Sequence, residues 1–183
     1  MVYEQAGQTW NPQRYQGLIQ FGMWLMRPRA VREYRGWTTP WEKAEPFFLA
    51  IAEAVDRVHR NDTLRQWWRN SELVPNRAHE HPYQAGIPQE YKEKDRWFLL
   101  DCNVNPQEFP WDLHWKIPVF ALARTRGNEP EREWLVYAHA PLGERKNVVI
   151  TVPEFGDITV NVPVGGSFFV LREDDDTITP VEF

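Results

Sequence analysis

The spacing of apolar residues along this chain changes near residue 95. Before that point apolar side chains recur at intervals of three and four residues, which is the period of an amphipathic helix. After it, apolar residues form short runs that are separated by turn sequences, as strands are. The pattern therefore predicts an α+β fold, in which a helical N-terminal part (residues 1–95) packs on a C-terminal antiparallel β-sandwich (residues 96–183).

The clearest helical stretch covers residues 47–59. Pro46 precedes it, at the position of a first helical turn. The sequence Asn61-Asp62-Thr63 ends it and caps a shorter helix that continues through Trp67 and Trp68. The apolar stripe of the longer helix consists of Phe47, Phe48, Ile51, Val55 and Val58.

A more apolar helix is predicted to begin at Asn11-Pro12 and to end at Pro28, although Gly17 and Gly22 within it equally fit close packing or a strand. Its segment 18–26 is apolar on more than one side, so a helix there has to be buried on more than one side. The β-sandwich, a missing part of the same domain, or another polypeptide would have to cover it. A second copy of the chain or a partner chain over segment 18–26 is therefore one expectation.

Six short apolar runs follow residue 95 with no helical pattern between them, which is typical of an antiparallel sandwich or barrel. The fifth run alternates apolar and polar residues, so one of its faces is buried and the other faces water. A seventh, weaker run covers residues 177–183. The six runs are Trp97–Asp101, Pro118–Arg124, Glu133–His139, Val148–Val152, Ile158–Val162 and Ser167–Leu171.

The 183 residues include 21 basic and 26 acidic side chains, and the excess of acid lies in the second half. Residues 1–95 have 13 basic against 12 acidic side chains, whereas residues 96–183 have 8 against 14. Nucleic-acid affinity depends on neutralising phosphates with lysine and arginine, so we expect no nucleic-acid partner. No apolar run approaches the roughly 20 residues that span a bilayer, and the N-terminus lacks a signal-peptide pattern. We expect a soluble, cytoplasmic chain without membrane contact.

Four stretches share a pattern of aromatic and aliphatic residues: Arg96-Trp97-Phe98-Leu99-Leu100-Asp101, Ile117–Ala123, Trp134–Pro141 and Gly165-Gly166-Ser167-Phe168-Phe169. They resemble the C-terminal β-sandwich of glycoside-hydrolase-like proteins, in which such a sandwich follows a (β/α)8 barrel. The resemblance implies that residues 22–29 and the helix over 47–59 are the last elements of that barrel. It also implies that the catalytic carboxylates lie on earlier barrel strands, which this chain would not contain.

Arginine and aromatic residues cluster just before the helix over 47–59. Arginine forks bind carboxylates, and flat indole rings stack on the apolar faces of sugars, so this cluster is a candidate carbohydrate-binding site. The alternative is structural, because arginine side chains at a domain junction also pair with acids and lie along tryptophan rings. The candidate residues are Arg29, Arg32, Glu33, Tyr34, Trp37 and Trp41.

Glu33 is the strongest candidate for a catalytic carboxylate, because arginine and tryptophan residues surround it in the sequence. Glycoside hydrolysis requires two carboxyl groups about 5–10 Å apart, and the sequence singles out no second one. No catalytic residue is therefore assigned, and a small hydrolase that uses Glu33 is a third hypothesis only.

No metal and no cofactor are expected. His79 and His81 lie in a loop-like stretch in which no third ligand suggests itself. The single cysteine, Cys102, follows a buried strand as a small apolar residue would. The acidic turn 174–176 has no glycine at its bend to form a calcium loop. Gly165-Gly166 lacks the following helix and lysine of a phosphate-binding loop.

Two functions are carried forward from the sequence. The first is a carbohydrate-associated accessory part, resembling that of glycoside hydrolases, which binds or positions a glycan without catalytic carboxylates of its own. The second is a non-catalytic interaction or structural module that self-associates or binds a partner chain through its apolar helical segment. The ten tryptophans are compatible with both, because tryptophan supplies either core mass or a flat binding surface.

Overall fold

The computed structural model describes residues 16–17, 20, 40–78, 97–106, 117–174 and 177–182. Two helices come first in the described chain, and eight antiparallel strands in two sheets follow them. This architecture confirms the predicted α+β class. Apart from Gln20, segment 18–26 lies outside the described residues, and the predicted division at residue 95 stays a prediction.

Helix α1 spans Trp41–Arg60, which is six residues longer at its N-terminus than the sequence pattern predicts. The carbonyl of Pro40 accepts hydrogen bonds from the backbone N–H groups of Lys43 and Ala44, at 3.2 and 3.3 Å, so the helix begins at Trp41. Pro46 therefore lies inside the helix and not in its first turn. A proline there removes one backbone hydrogen bond, a loss that the helix tolerates because it lies near its N-terminal end.

Helix α2 spans Asp62–Arg69, and its predicted cap is confirmed. The Asn61 side-chain oxygen accepts a hydrogen bond from the backbone N–H of Leu64 at 3.1 Å. The Asn61 side-chain amide also donates to the backbone carbonyl of Glu182 at 3.0 Å. One residue thus caps the helix and joins the helical turn to the last described residues of the chain.

The strands form a five-stranded sheet in the order β1-β3-β4-β7-β8 and a three-stranded sheet in the order β2-β5-β6. All neighbouring strands are antiparallel, as expected for chain segments joined by short turns. The bounds are β1 (Glu72–Leu73), β2 (Asp101–Cys102), β3 (Phe120–Arg126), β4 (Glu133–His139), β5 (Arg145–Val152), β6 (Gly156–Val162), β7 (Ser167–Arg172) and β8 (Ile178–Pro180).

The first predicted strand is mostly wrong, since only Asp101 of the run 97–101 belongs to a strand. The preceding residues bond to separate parts of the chain and not to one neighbouring strand. The Trp97 carbonyl accepts from the backbone N–H of Asn76 at 2.8 Å, and the Leu100 N–H donates to the Ala121 carbonyl at 3.0 Å. Burial explains the apolar run, because Leu100 is fully buried without being in a strand.

The main core lies between the two sheets. Alternate residues of each strand point into it, because successive side chains of a strand lie on opposite faces. The three-stranded sheet contributes the buried row of β5 and β6, and the five-stranded sheet contributes the matching rows of β3, β4 and β7. Its largest members are Leu100, Trp134, Val136, Val148, Ile150, Val152, Ile158, Val160, Val162, Phe169 and Leu171.

A second core cluster joins the helices to the other face of the five-stranded sheet. The helices contribute Val58, Leu64 and Trp67, and the sheet contributes Leu122, Leu135, Tyr137 and Phe168. Trp67 is fully buried, and Trp68 packs against the same cluster while half-buried. The five-stranded sheet is thus covered on both faces, which makes it the central layer of the described structure.

Candidate binding surface on the first helix

Three large apolar side chains are exposed on the N-terminal half of α1. Trp41 is 48% exposed, Phe48 37% and Leu49 55%. The Trp41 and Phe48 rings lie against each other, with centroids 5.3 Å apart and planes inclined at 36°. We call this group of three residues the α1 patch, and it is the largest exposed apolar cluster among the described residues.

The α1 patch exists because of the face on which the helix is packed. The buried positions of α1 are three alanines and one valine, Ala44, Ala50, Ala54 and Val58. The sequence pattern assigns Phe48 to one stripe with Phe47 and Ile51, but only those two are partly buried. The helix packs on its small residues, and Phe48 is consequently turned toward solvent beside Trp41.

Carboxylates lie within the α1 patch and along its Leu49 side. Glu45 is one helical turn from both Trp41 and Leu49, so its exposed side chain lies between them. Glu42 and Glu53 are exposed at the margin, and Glu53 accepts a weak hydrogen bond of 3.4 Å from the Gln16 side-chain amide. Within the described ranges, Glu42 and Glu45 form no ion pair. The surface therefore combines exposed apolar side chains with negative charge along one side.

Of the six predicted carbohydrate-binding residues, Trp41 is the only one among the described residues, and it is exposed. Arg29, Arg32, Glu33, Tyr34 and Trp37 lie outside the described residues, and so does His79-Glu80-His81. Sequence reasoning identified Trp41 through the arginine-rich stretch before it. It did not identify Phe48 and Leu49 as exposed, although their spacing from Trp41 places all three on one helical face.

A second concentration of polar groups is buried at the end of β4. The Tyr137 hydroxyl donates a hydrogen bond of 2.7 Å to the backbone carbonyl of Gly17. Burial raises the pKa of Tyr137 well above its ordinary value, and the positive charge of Arg57 opposes that increase. Gln16 and Gln20 are also buried. The Tyr137 hydrogen bond holds Gly17 against the sheet, and Gln16 bonds to Glu53 of α1, so these two bonds connect this part of the chain to both layers.

His139, at the end of β4, belongs to the same buried group. Its ring stacks on Phe120 with centroids 5.5 Å apart and planes inclined at 13°. A second aromatic contact, of 5.7 Å, joins it to Tyr137. Gly17 packs so closely that a side chain there would meet His139 and the Val164 carbonyl. His139 is therefore part of the packing between β4 and Gly17.

Cys102 is a buried thiol, as predicted. Burial, and secondarily the charge of Asp101, raise the pKa of Cys102 to about 12. The thiolate is the nucleophilic form of cysteine, so Cys102 stays protonated and unreactive at neutral pH. This residue offers no chemistry for catalysis.

An open groove of about 390 Å³ runs along α2 and is lined by Asp62, Arg65, Gln66, Arg69 and Asn70. All of these residues come from the solvent side of one short helix and its C-terminal cap. The Arg65 guanidinium already binds the Asp62 carboxylate. The groove presents charge without converging groups, so it does not match a small-molecule site, which is concave and largely apolar.

Two features are absent from the described part of the chain. In that part, no three histidine, cysteine or carboxylate side chains are grouped to hold a metal ion. None of its helices has the length and apolar character needed to cross a membrane.

Comparison of the chain with protein-family models, with curated proteins and with solved structures found no match. The resemblance to glycoside-hydrolase-like proteins accordingly stays a prediction from the strand sequences.

Proposed function

We propose that this protein is a binding module that holds a basic, amphipathic segment of a partner protein on the α1 patch. The observation that carries the proposal is the exposed Trp41–Phe48 ring pair with Leu49 beside it. A few residues supply most of the binding energy of a protein interface, and tryptophan is enriched among them, while phenylalanine is enriched at interfaces generally. Clustered exposed apolar residues also indicate an interaction surface, whereas scattered ones do not.

The charge around the α1 patch supports a basic partner. Glu42, Glu45 and Glu53 are exposed on or beside the face that Trp41 and Leu49 occupy. Lysine or arginine side chains flanking the apolar residues of a partner would pair with these carboxylates and speed the encounter. An acidic or neutral apolar segment would leave the carboxylates desolvated and unpaired, which is unfavourable.

The regular spacing along α1 supports a helical partner. Residues 41, 45, 48, 49 and 52 follow intervals of three and four, so the surface is a ridge with the period of a helix. A second amphipathic helix can pack against such a ridge with its own apolar residues at the same period. The surface proposed here to bind the partner is on α1. The sequence instead predicts that a partner covers segment 18–26, and this stays a prediction.

A carbohydrate ligand is the second candidate, and the exposed indole of Trp41 favours it. A sugar ring would stack on that indole, beside the predicted arginine cluster at residues 29–35. The two candidates differ in their use of Leu49, because a branched aliphatic side chain contributes to a protein interface and not to stacking on Trp41.

The test compares two helical peptides of the same apolar pattern, one with lysine and one with glutamate at its polar positions. Binding to the full chain is followed by calorimetry. The lysine peptide is expected to bind, Trp41→Ala to weaken it by roughly thirtyfold, and Leu49→Ser to weaken it by a smaller factor. Leu142→Ser, at an exposed leucine outside α1, is the matched control and should leave binding unchanged.

Three outcomes separate the candidates. Equal binding of both peptides, or binding that Trp41→Ala leaves unchanged, contradicts the protein-binding proposal. If neither peptide binds and an oligosaccharide panel quenches tryptophan fluorescence in the wild type but not in Trp41→Ala, the carbohydrate candidate replaces it. In that case Leu49→Ser should bind the oligosaccharide like the wild type.

A further inference from the structure

The edge strands of the two sheets differ in length. The five-stranded sheet ends in β1, of two residues, and in β8, of three residues that include Pro180. The three-stranded sheet ends in β2, of two residues, and in β6, of seven. Short strands and prolines are devices by which proteins prevent edge strands from pairing with other chains. Strand β6 lacks both.

The outer edge of β6 is regular as well as long. Its inner edge pairs with β5 through five consecutive residue pairs, from Val152–Gly156 to Val148–Val160. The bulge between Arg145 and Val148 disturbs only the far end of this ladder. Within the described ranges, no strand pairs with the outer edge of β6. The strand has no lysine and no proline, and Asp157 is its only charged residue.

We propose that β6 pairs with β6 of a second copy of this chain, antiparallel and with Thr159 opposite Thr159. Because the strand has seven residues, this register uses its full length and has Thr159 at its centre. Opposed residues in an antiparallel pair lie on the same face. The buried rows of the two copies then lie on one side, and two three-stranded sheets join into one continuous sheet.

The residues that face each other in this register are compatible. On the buried face Ile158 meets Val160, and on the exposed face the threonines meet, which are favourable cross-strand pairs. Asp157 meets Asn161 twice, once on each side of the two-fold axis. No two like charges are opposed. The register is therefore self-complementary, as a two-fold interface has to be.

The hydrogen bonds already made within one copy leave the required groups available. The Asn161 side-chain oxygen accepts from the backbone N–H of Asn147 at 3.1 Å, which leaves its amide NH₂ as a donor. One Asp157 oxygen accepts from the Thr151 hydroxyl at 2.7 Å, which leaves the other oxygen as an acceptor. An Asn161–Asp157 hydrogen bond between copies would use the remaining donor and acceptor of these side chains and would leave both internal hydrogen bonds in place.

This surface is independent of the α1 patch. Helix α1 packs on the face of the five-stranded sheet that is turned away from the three-stranded sheet. Pairing through β6 therefore leaves α1 accessible and presents two α1 patches in one assembly. A partner with two binding segments would gain affinity from such an arrangement.

The test is sedimentation equilibrium on the full chain, with Thr159→Lys and Thr159→Glu as variants. The wild type is expected to show a monomer–dimer equilibrium. Each variant opposes two like charges at the centre of the pair and should raise the dimer dissociation constant roughly tenfold. An equimolar mixture of the two variants should restore the wild-type dimer, since lysine then faces glutamate. Thr179→Lys, at an exposed threonine of the short edge strand β8, is the matched control.

A wild type that stays monomeric up to millimolar concentration overturns the proposal. So does a dimer that survives Thr159→Lys and Thr159→Glu, or one that the mixture fails to restore. If Trp41→Ala dissociates the dimer and the Thr159 variants do not, the copies meet through the α1 patch and not through β6. If the wild type forms the dimer but does not bind the lysine peptide, the proposed function is contradicted and the β6 pairing is not.

Discussion

Strands β4 and β6, one from each sheet, both have seven residues but are buried to different extents. In β4, at the centre of the five-stranded sheet, every residue after Glu133 is buried. In β6, at the edge of the three-stranded sheet, buried and exposed residues alternate from Ile158 to Val162. The helices cause this difference, since they cover the second face of the five-stranded sheet. A strand that is buried on both faces needs an uninterrupted apolar run, and a strand that is buried on one face needs alternation.

The turns differ in the same way, since one is covered by other side chains and one is open. The largest loss of stability that we expect comes from a substitution in the covered turn. Gly166 has φ +81°, and a side chain there would overlap the Tyr137 ring. Gly156 also has a positive φ, of +117°, but has nothing within 4 Å. Gly166→Ala combines backbone strain with overpacking of a buried phenol, so it should destabilise the fold by about 3–5 kcal/mol.

Gly156→Ala is the matched control, because it adds strain without overlap and should destabilise the fold by about 1 kcal/mol. Urea denaturation of both variants measures the difference. If both substitutions lower the free energy of unfolding equally, Tyr137 moves aside easily. The covered turn would then be no more sensitive to a side chain than the open one.

The next effect concerns the side chains of the central strand that face the helices. Leu135 is fully buried against the helix side of the five-stranded sheet. Leu135→Ala removes apolar contacts and leaves a cavity, so it should destabilise the fold by about 2–5 kcal/mol. Urea denaturation gives this value directly. A loss below about 1 kcal/mol would mean that the helices are only loosely attached to the sheet.

The strand patterns were predictable from sequence to the extent that burial follows the period of a strand. The continuous run Glu133–His139 and the alternating run Ile158–Val162 are both confirmed. The run Trp97–Asp101 is apolar for another reason, since Leu100 is buried beside Ala121 outside any ladder. An apolar run indicates that its side chains are buried, but it does not indicate which backbone groups are hydrogen-bonded to each other.

The candidate surface was predictable only in part. The exposure of Phe48 follows from α1 packing through its alanines, and the apolar period of the helix alone does not reveal which face is packed. The start of α1 at Trp41 depends on the Pro40 carbonyl, which no apolar period reveals. Trp41 was a candidate because of its sequence neighbours, and its shown neighbour in space is Phe48.

The hydroxyl of Tyr137 gives a smaller and pH-dependent effect. Tyr137→Phe removes its hydrogen bond to Gly17 and should cost about 1–2 kcal/mol at neutral pH. Burial raises the pKa of Tyr137 in the folded state above the ordinary value of 10.0. Below that value both states keep the proton, so this contribution to stability is fully present. Above it the unfolded state loses the proton first, and the contribution is lost as the pH rises toward the folded pKa.

Unfolding free energies measured by urea denaturation between about pH 8 and 11 test this coupling. The wild type should lose stability more steeply than Tyr137→Phe in the alkaline part of the range. Leu135→Ala is the control, because it weakens the same cluster without removing an ionisable group and should keep the wild-type slope. Parallel curves for Tyr137→Phe and the wild type would show that the phenol ionises freely in the folded state.

The smallest effect is expected on the open face of the three-stranded sheet. Thr151 is exposed there and donates a hydrogen bond of 2.7 Å to Asp157. Water can replace this bond, so Thr151→Ala should change the free energy of unfolding by no more than about 0.5 kcal/mol. Urea denaturation at low protein concentration keeps self-association out of the measurement. A loss above about 1 kcal/mol would mean that this face is covered as the β4 face is, since only a desolvated hydroxyl contributes that much.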